Sequence, residues 1–282
     1  MSAATPLPVV NRLIGDLPRE TRNRIVGACD SVNLVFGTVL CEADRRHRHV
    51  YFPLTSFISL VASVGNHPPI EIGLIGSEGM LGATLALGVN SARLRGVVQG
   101  TGTALRMTVH QFRRELRRSR VLRRTLDRYL YVLLAQSAQT IACTRFHEIR
   151  ARLARWLLMT HDRSHGDSFH LTHQYLADML GVRRSAVTIA AGALQREKLI
   201  RYARGSIAVV DRRGLEAASC ECYQAVIDDH RRMFAWPVAL PAAAGQRPGC
   251  HTAIRNRRSA LSRYMAASAR FSSTSYCSPS AG

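Results

Sequence analysis

The sequence predicts an α+β protein in three parts: an N-terminal β-roll of the double-stranded β-helix or jelly-roll type, one long helix, and a helical C-terminal part closed by a β-hairpin. Three observations carry that class. Between Val32 and Met107, short apolar, β-branched runs alternate with glycine turns, the pattern of many short strands folding over one another. From His110 to His165 there is no glycine, and apolar residues recur at three- and four-residue steps. The stretch "LTHQYLADMLGVRRSAVTIAAGALQ", Leu171 to Gln195, then reads as two short helices separated by one glycine.

Along the chain, Asn11 to Ala28 suggests short helices around Leu13, Ile14, Leu17, Ile25 and Val26, with a break at Asp16 or Pro18. The runs "VNLVFGTVL", "HVYFPLTSFISLVASV", "IEIGLIG", "GMLGATLALG" and "RGVVQGTGTALRM" supply the strands of a barrel or roll spanning 11–109. Within it, "RRHRH" places His47 and His49 in a basic, solvated loop. "GLIGSEG" resembles a glycine-rich phosphate loop, but no Lys-Ser or Lys-Thr follows, so it reads as a turn of the roll.

Residues 110–144 form the long helix. Its stripe is Phe112, Leu116, Leu122, Leu126, Tyr129, Leu130, Leu133, Leu134 and Ile141. That is more than a small roll needs to bury, so the helix is expected to be a homodimer seam. Arginines 113, 114, 117, 118, 120, 123 and 124 read as its solvated face. A second helix carries Ile149, Leu153, Trp156, Leu157 and Leu158, and "DRSHGDSFH" reads as a loop. Ile200–Tyr202 and Ile207–Val210 read as two strands joined across Arg204, Gly205 and Ser206. The third domain is therefore expected over 145–223. After Asp229 no acidic residue occurs, and 237–282 is rich in Ala, Ser, Arg and Pro, which reads as a disordered basic tail.

The two short helices have the spacing of a helix-turn-helix. Thr172 can cap the first, and Leu171 and Leu176 have hydrophobic-staple spacing. Leu176, Ala177 and Leu180 form one apolar face, and Ala177 is small where a second helix crosses. Gly181 allows a tight turn. Val182, Val187, Ala190 and Leu194 give the second helix its buried side. That leaves Arg183, Arg184, Ser185 and Thr188 facing outward near its N-terminus, the end that enters a major groove. Arginine there can hold guanine O6 and N7 together. Gln174, near the start of the first helix, is placed to bond a phosphate. The hairpin becomes a wing, with Arg201 and Arg204 as phosphate contacts.

Composition agrees. The chain has 282 residues, 39 Lys plus Arg against 19 Asp plus Glu, and a formal net charge of +20. Such an imbalance favours a polyanionic partner, nucleic acid before an anionic membrane. Lys198 is the sole lysine, and a GC-rich genome accounts for much of that arginine bias. Seven cysteines are scattered; Cys220 and Cys222 are close-spaced but stand alone, and no metal site is read from them. The start, "MSAATPLPVVNRLIGDLPRE", lacks a basic flank followed by an apolar signal run, and no segment has membrane-span length. A reduced, cytoplasmic protein is expected. No Ser/His/Asp arrangement, phosphate loop or His-Glu-x-x-His motif argues for an enzyme.

β-roll, long helix and winged helix-turn-helix together resemble the Crp–Fnr family of bacterial transcription regulators, over roughly Asn11 to Tyr223. The likeness is strongest in "LTHQYLADMLGVRRSAVTIAAGALQREKLIRY" and "IEIGLIGSEGMLG". It implies a cyclic-nucleotide-binding-like sensory roll, a homodimer, double-stranded DNA and RNA polymerase as partners, and recognition helices over 184–194 reading a two-fold symmetric operator. The family's base-reading positions fall on Arg184, Ser185 and Ile189. Ser185 stands where an acidic residue is usual and Ile189 where an arginine is, so the operator should differ from the best-known family consensus. The sensory site departs further: Gly82 is followed by Ala83 rather than a glutamate, and "NSARLRG" has no Arg-Ser pair. Gly82, Arg93 and Arg95 remain the effector-site candidates, cyclic AMP is not the expected effector, and the cofactor is unknown. The N-terminal cysteine cluster that holds an iron–sulfur centre in oxygen-sensing members is absent, and Cys29 and Cys41 alone cannot supply four ligands, so no iron–sulfur cluster is expected. The alternative is a small-ligand-binding module whose C-terminal helices contact protein; the charged face at Arg183 and Arg184 argues against it.

Overall fold

The computed structural model describes residues 11–164, 166, 168–203 and 205–234. The expected basic tail, 237–282, lies outside the described residues. Two short helices, α1 (Arg12–Gly15) and α2 (Arg19–Gly27), open the chain. Asn11 caps α1, accepting from the Ile14 amide, and its Nδ2 donates to the Pro53 and Gly79 carbonyls at 3.0 and 2.8 Å. A polar side chain thus ties the first helix to the roll at a fully buried site.

Seven strands follow: β1 (Asp30–Leu34), β2 (Val39–Cys41), β3 (His49–Pro53), β4 (Phe57–Ala62), β5 (Ile70–Ile75), β6 (Arg95–Gly100) and β7 (Gly102–Thr108). They form two antiparallel sheets, ordered β1-β7-β3 and β2-β6-β4-β5, rather than a closed barrel. The chain changes sheet between β6 and β7 at Thr101. Gly100 is required there, because a Cβ would stand 2.0 Å from the Phe57 ring. His47 is buried, not solvated, and burial lowers its pKa; His49 begins β3. Only His47 of this stretch is covered; Arg45, Arg46 and Arg48 remain exposed as expected.

The predicted long helix is broken. α3 (Val109–Arg118) and α4 (Arg120–Phe146) meet at Ser119, whose backbone is extended and whose hydroxyl accepts from the Leu122 amide at 3.1 Å. Serine here competes with the helix for its own backbone. The apolar stripe divides with it. Phe112, Leu116, Leu122, Leu126 and Tyr129 are buried in the protomer's own core with Leu13, Ile14, Phe52, Met80 and Met107. Leu130 and Leu133 pack against the same core. The apolar residues left outward on α4 are Val121, Tyr131, Leu134, Ile141 and Phe146. The sequence periodicity merged two faces that the fold separates. Some of the expected solvated arginines have partners: buried Glu115 pairs with Arg24 and lies within 3.8 Å of Arg114 and Arg118.

After α5 (Ile149–His161), the supposed loop contains β8 (Ser168–His170), which pairs with the later hairpin. Then come α6 (His173–Leu180), α7 (Arg184–Arg196), β9 (Ile200–Ala203), β10 (Ser206–Val209), α8 (Arg212–Ala218) and α9 (Cys222–Phe234). The helical end shares one core with the four-stranded sheet: Phe57, Val61 and Leu74 join Leu153, Leu157, Leu176, Val187 and Leu194. Across it, Arg163, just beyond α5, and Glu78 of the roll form a half-buried pair at 2.7 Å. No helix among the described residues is long and apolar enough to cross a membrane.

Glu71 of β5 sits at this junction with the Ser59 hydroxyl donating to it at 2.7 Å. Burial pushes its carboxyl from 4.5 up to about 7, against the opposing pull of Ser59, Arg155 and Arg163. The folded state therefore keeps a proton that the unfolded chain has released. Stability should be greatest below the unfolded value and fall as pH rises towards 7. Glu71→Gln is expected to flatten that fall and raise the melting temperature at pH 8 while leaving it unchanged at pH 4. Parallel pH profiles for the two proteins in a thermal melt would show that Glu71 is not the cause.

Candidate nucleic-acid interface

Thr172 caps α6 by accepting from the Tyr175 amide at 3.1 Å. Gly181 ends the helix with φ +64, a left-handed backbone that favours glycine, and a Cβ there would also press on the Ile70 side-chain end at 2.7 Å. Arg152 of α5 donates to the Leu180 carbonyl, satisfying the end of α6. Arg150 pairs with Glu197 just beyond α7. Val187, Ala190, Ala191 and Leu194 of α7 are buried. Leu176, Val187 and Leu194 are fully enclosed, each contributing about 1.5–3 kcal/mol by burial. The two helices are thus fixed from below and from both ends.

What remains outward matches the residues singled out in the sequence. Arg183 is the N-cap of α7, and Arg184, Ser185, Thr188 and Ile189 are exposed on one side of it, Ile189 by 73%. Gly192 and Arg196 continue the exposed row towards the C-terminus. Thr188 is less free than expected: its hydroxyl donates to the Arg184 carbonyl at 3.1 Å and lies 3.0 Å from His173 Nδ1. His173 also stacks on Tyr202 of β9, with ring centroids 4.2 Å apart. It joins α6, α7 and the hairpin, a role that sequence spacing did not reveal. Burial, then the Arg184 charge, lowers its pKa. The exposed Gln174 is turned along its own helix, donating to Asp178 at 2.8 Å.

β9 and β10 make the hairpin, and β8 makes it a three-stranded sheet ordered β8-β10-β9. Arg201 is exposed on β9; Arg204 lies outside the described residues. At the far end, Gly82 has φ +96 ahead of a short 3-10 turn, Ala83–Leu87. Arg93 pairs with Asp44 at 3.1 Å, and Arg95 with Glu42 at 3.2 Å. Both arginines thus pair with neighbouring carboxylates.

Residues 151–218 match the family model of the Crp-like helix-turn-helix domain. Solved structures share the fold at low identity. A chain from Eubacterium rectale assigned to the Crp/Fnr family of transcriptional regulators has a TM-score of 0.58 at 15% identity, covering 73% of this chain and 96% of that one. FixK2 from Bradyrhizobium japonicum has a TM-score of 0.56 at 12% identity, covering 68% and 98%. The c-di-GMP-responsive global regulator CLP of Xanthomonas campestris has a TM-score of 0.54 at 15% identity, covering 68% and 99%. No curated protein matches the chain. Over 151–218 the chain thus carries a Crp-like helix-turn-helix domain, and the likeness to the solved structures shows a shared fold.

Proposed function

We propose that the protein acts as a homodimer that reads a two-fold symmetric operator, inserting the N-terminal end of α7 into the major groove of each half-site. One observation carries this reading: Arg183, Arg184 and Ser185 stand exposed at the start of a helix whose opposite side is locked into the core. Arg184 supplies the bidentate guanine contact, and Ser185 and Ile189 face the next bases. Arg201 meets the backbone beside the groove. Gln174 reaches a phosphate only by leaving Asp178. The second copy docks on α4, where Asp127, Tyr131, Leu134, Ala138, Ile141 and Arg145 alternate at four- and three-residue steps; all are exposed in the single chain. An anionic effector at the roll rim would have to displace Asp44 and Glu42 from Arg93 and Arg95.

Equilibrium binding of the full chain to duplex DNA at several salt concentrations tests the reading. A preferred duplex should bind at least roughly 10³-fold tighter than random sequence, and the affinity for both should fall steeply with salt as counterions are released. Equal affinity for every duplex at all salt concentrations would overturn sequence reading and leave only attraction by charge.

A further inference from the structure

Cys143, His147, Cys220 and Cys222 converge at the joint between α4 and α5, with one ligand atom from each lying within 4.8 Å of all the others. We infer that these four side chains form a structural zinc site that clamps the start of α9 to the end of α4.

The positions suit such a clamp. Cys143 and His147 are four residues apart at the C-terminal end of α4, His147 being its C-cap. Cys220 lies in the turn before α9, and Cys222 is the first residue of that helix. All three cysteines are buried. The measured edges are 3.6 Å between Cys143 Sγ and Cys220 Sγ, and 3.4 Å between Cys222 Sγ and His147 Nδ1. A tetrahedral ion with bonds of ~2.3 Å to sulfur and ~2.0 Å to nitrogen has sulfur–sulfur edges of ~3.8 Å and sulfur–nitrogen edges of ~3.5 Å. Three thiolates and one imidazole at these separations are a zinc donor set. The cluster is too tight for a polynuclear iron–sulfur centre, whose thiolates sit on separate irons.

The surroundings have what a zinc site needs beyond its ligands. The His147 ring uses Nδ1 towards the thiols and places Nε2 at 3.1 Å from the Glu221 carboxylate, the arrangement that fixes a ligating imidazole. Gln139 donates to Cys222 Sγ at 3.0 Å. Zinc with three thiolates carries one net negative charge, and Arg152 and Arg155 are close enough to act electrostatically on Cys143. Arg152 also holds the end of α6. An ion here would connect the helix that leaves the roll to the helices that carry the DNA-reading face.

The test is elemental analysis of the full chain, purified reduced and without chelators, followed by cobalt substitution. One zinc per chain is expected. Cobalt(II) should give intense tetrahedral d–d bands and a thiolate charge-transfer band. Cys222→Ser and Cys220→Ser should each lose the metal, and Cys29→Ser should retain it. Glu221→Gln, at an exposed position where the fold should be unaffected, should weaken zinc affinity about 10–100-fold in chelator competition. Three results would each overturn the site: no uptake of zinc or cobalt by folded, reduced protein; an octahedral cobalt spectrum; or zinc undiminished in Cys222→Ser.

Discussion

Arg184→Ala should cost about 1–3 kcal/mol, roughly 5- to 150-fold, in affinity for the preferred duplex and relax base choice at one position in each half-site. The residue opens α7 and is exposed, and among the described residues no ion pair holds its guanidinium. Its removal therefore leaves the core of Leu176, Val187 and Leu194 untouched, and the melting temperature should not move. Affinity for random duplex should fall only slightly. A uniform loss on all sequences would instead make Arg184 a phosphate contact and shift base reading to Ser185, Ile189 or Arg183.

Leu134→Glu should convert the proposed dimer to a monomer with unchanged helix content, read by sedimentation and circular dichroism. Leu134 is 70% exposed in the single chain and Ile141 66%, so a charge there disturbs no intramolecular packing. In a two-stranded seam the same charge meets its copy in an apolar environment, which is strongly unfavourable. Binding to a symmetric site should collapse with it, because two tethered half-site contacts become independent events. A dimer that survives both Leu134→Glu and Ile141→Glu would place the interface elsewhere. Leu130, also part of the apolar stripe, packs on the protomer's own core, so a charge there would confound folding with assembly.

How much was legible in the sequence depended on how local the cause was. The helix-turn-helix could be read because cap, staple, glycine and buried positions all fall within Leu171 to Gln195, and each is set by its neighbours. The strands of the roll were legible as alternating runs punctuated by glycine, but their division into two sheets follows from pairings such as β1 with β7, which spacing does not encode. The break at Ser119 was available in principle from its capping chemistry, but the apolar periodicity ran straight across it. β8 was lost because three residues of "DSFH" become a strand only when Ser206–Ala208 lie beside them. His173 carries no local signal either, since Tyr202 and Thr188 reach it through the fold. Cys143 and Cys220, 77 residues apart in sequence, meet only after α9 folds back on α4. The ligands do fall in two close pairs, Cys143 with His147 and Cys220 with Cys222, but neither is a Cys-x-x-Cys pair, and nothing local says that the two ends meet.

The most direct measurement is selection from a random duplex library by the purified full chain, with Arg184→Ala in parallel. A homodimer reading through α7 should recover a two-fold symmetric motif whose half-sites are about one helical turn apart, roughly 10 base pairs, and the variant should lose information at one position in each half. A recovered motif without symmetry, or one that Arg184→Ala leaves unchanged, would contradict dimeric reading through that helix.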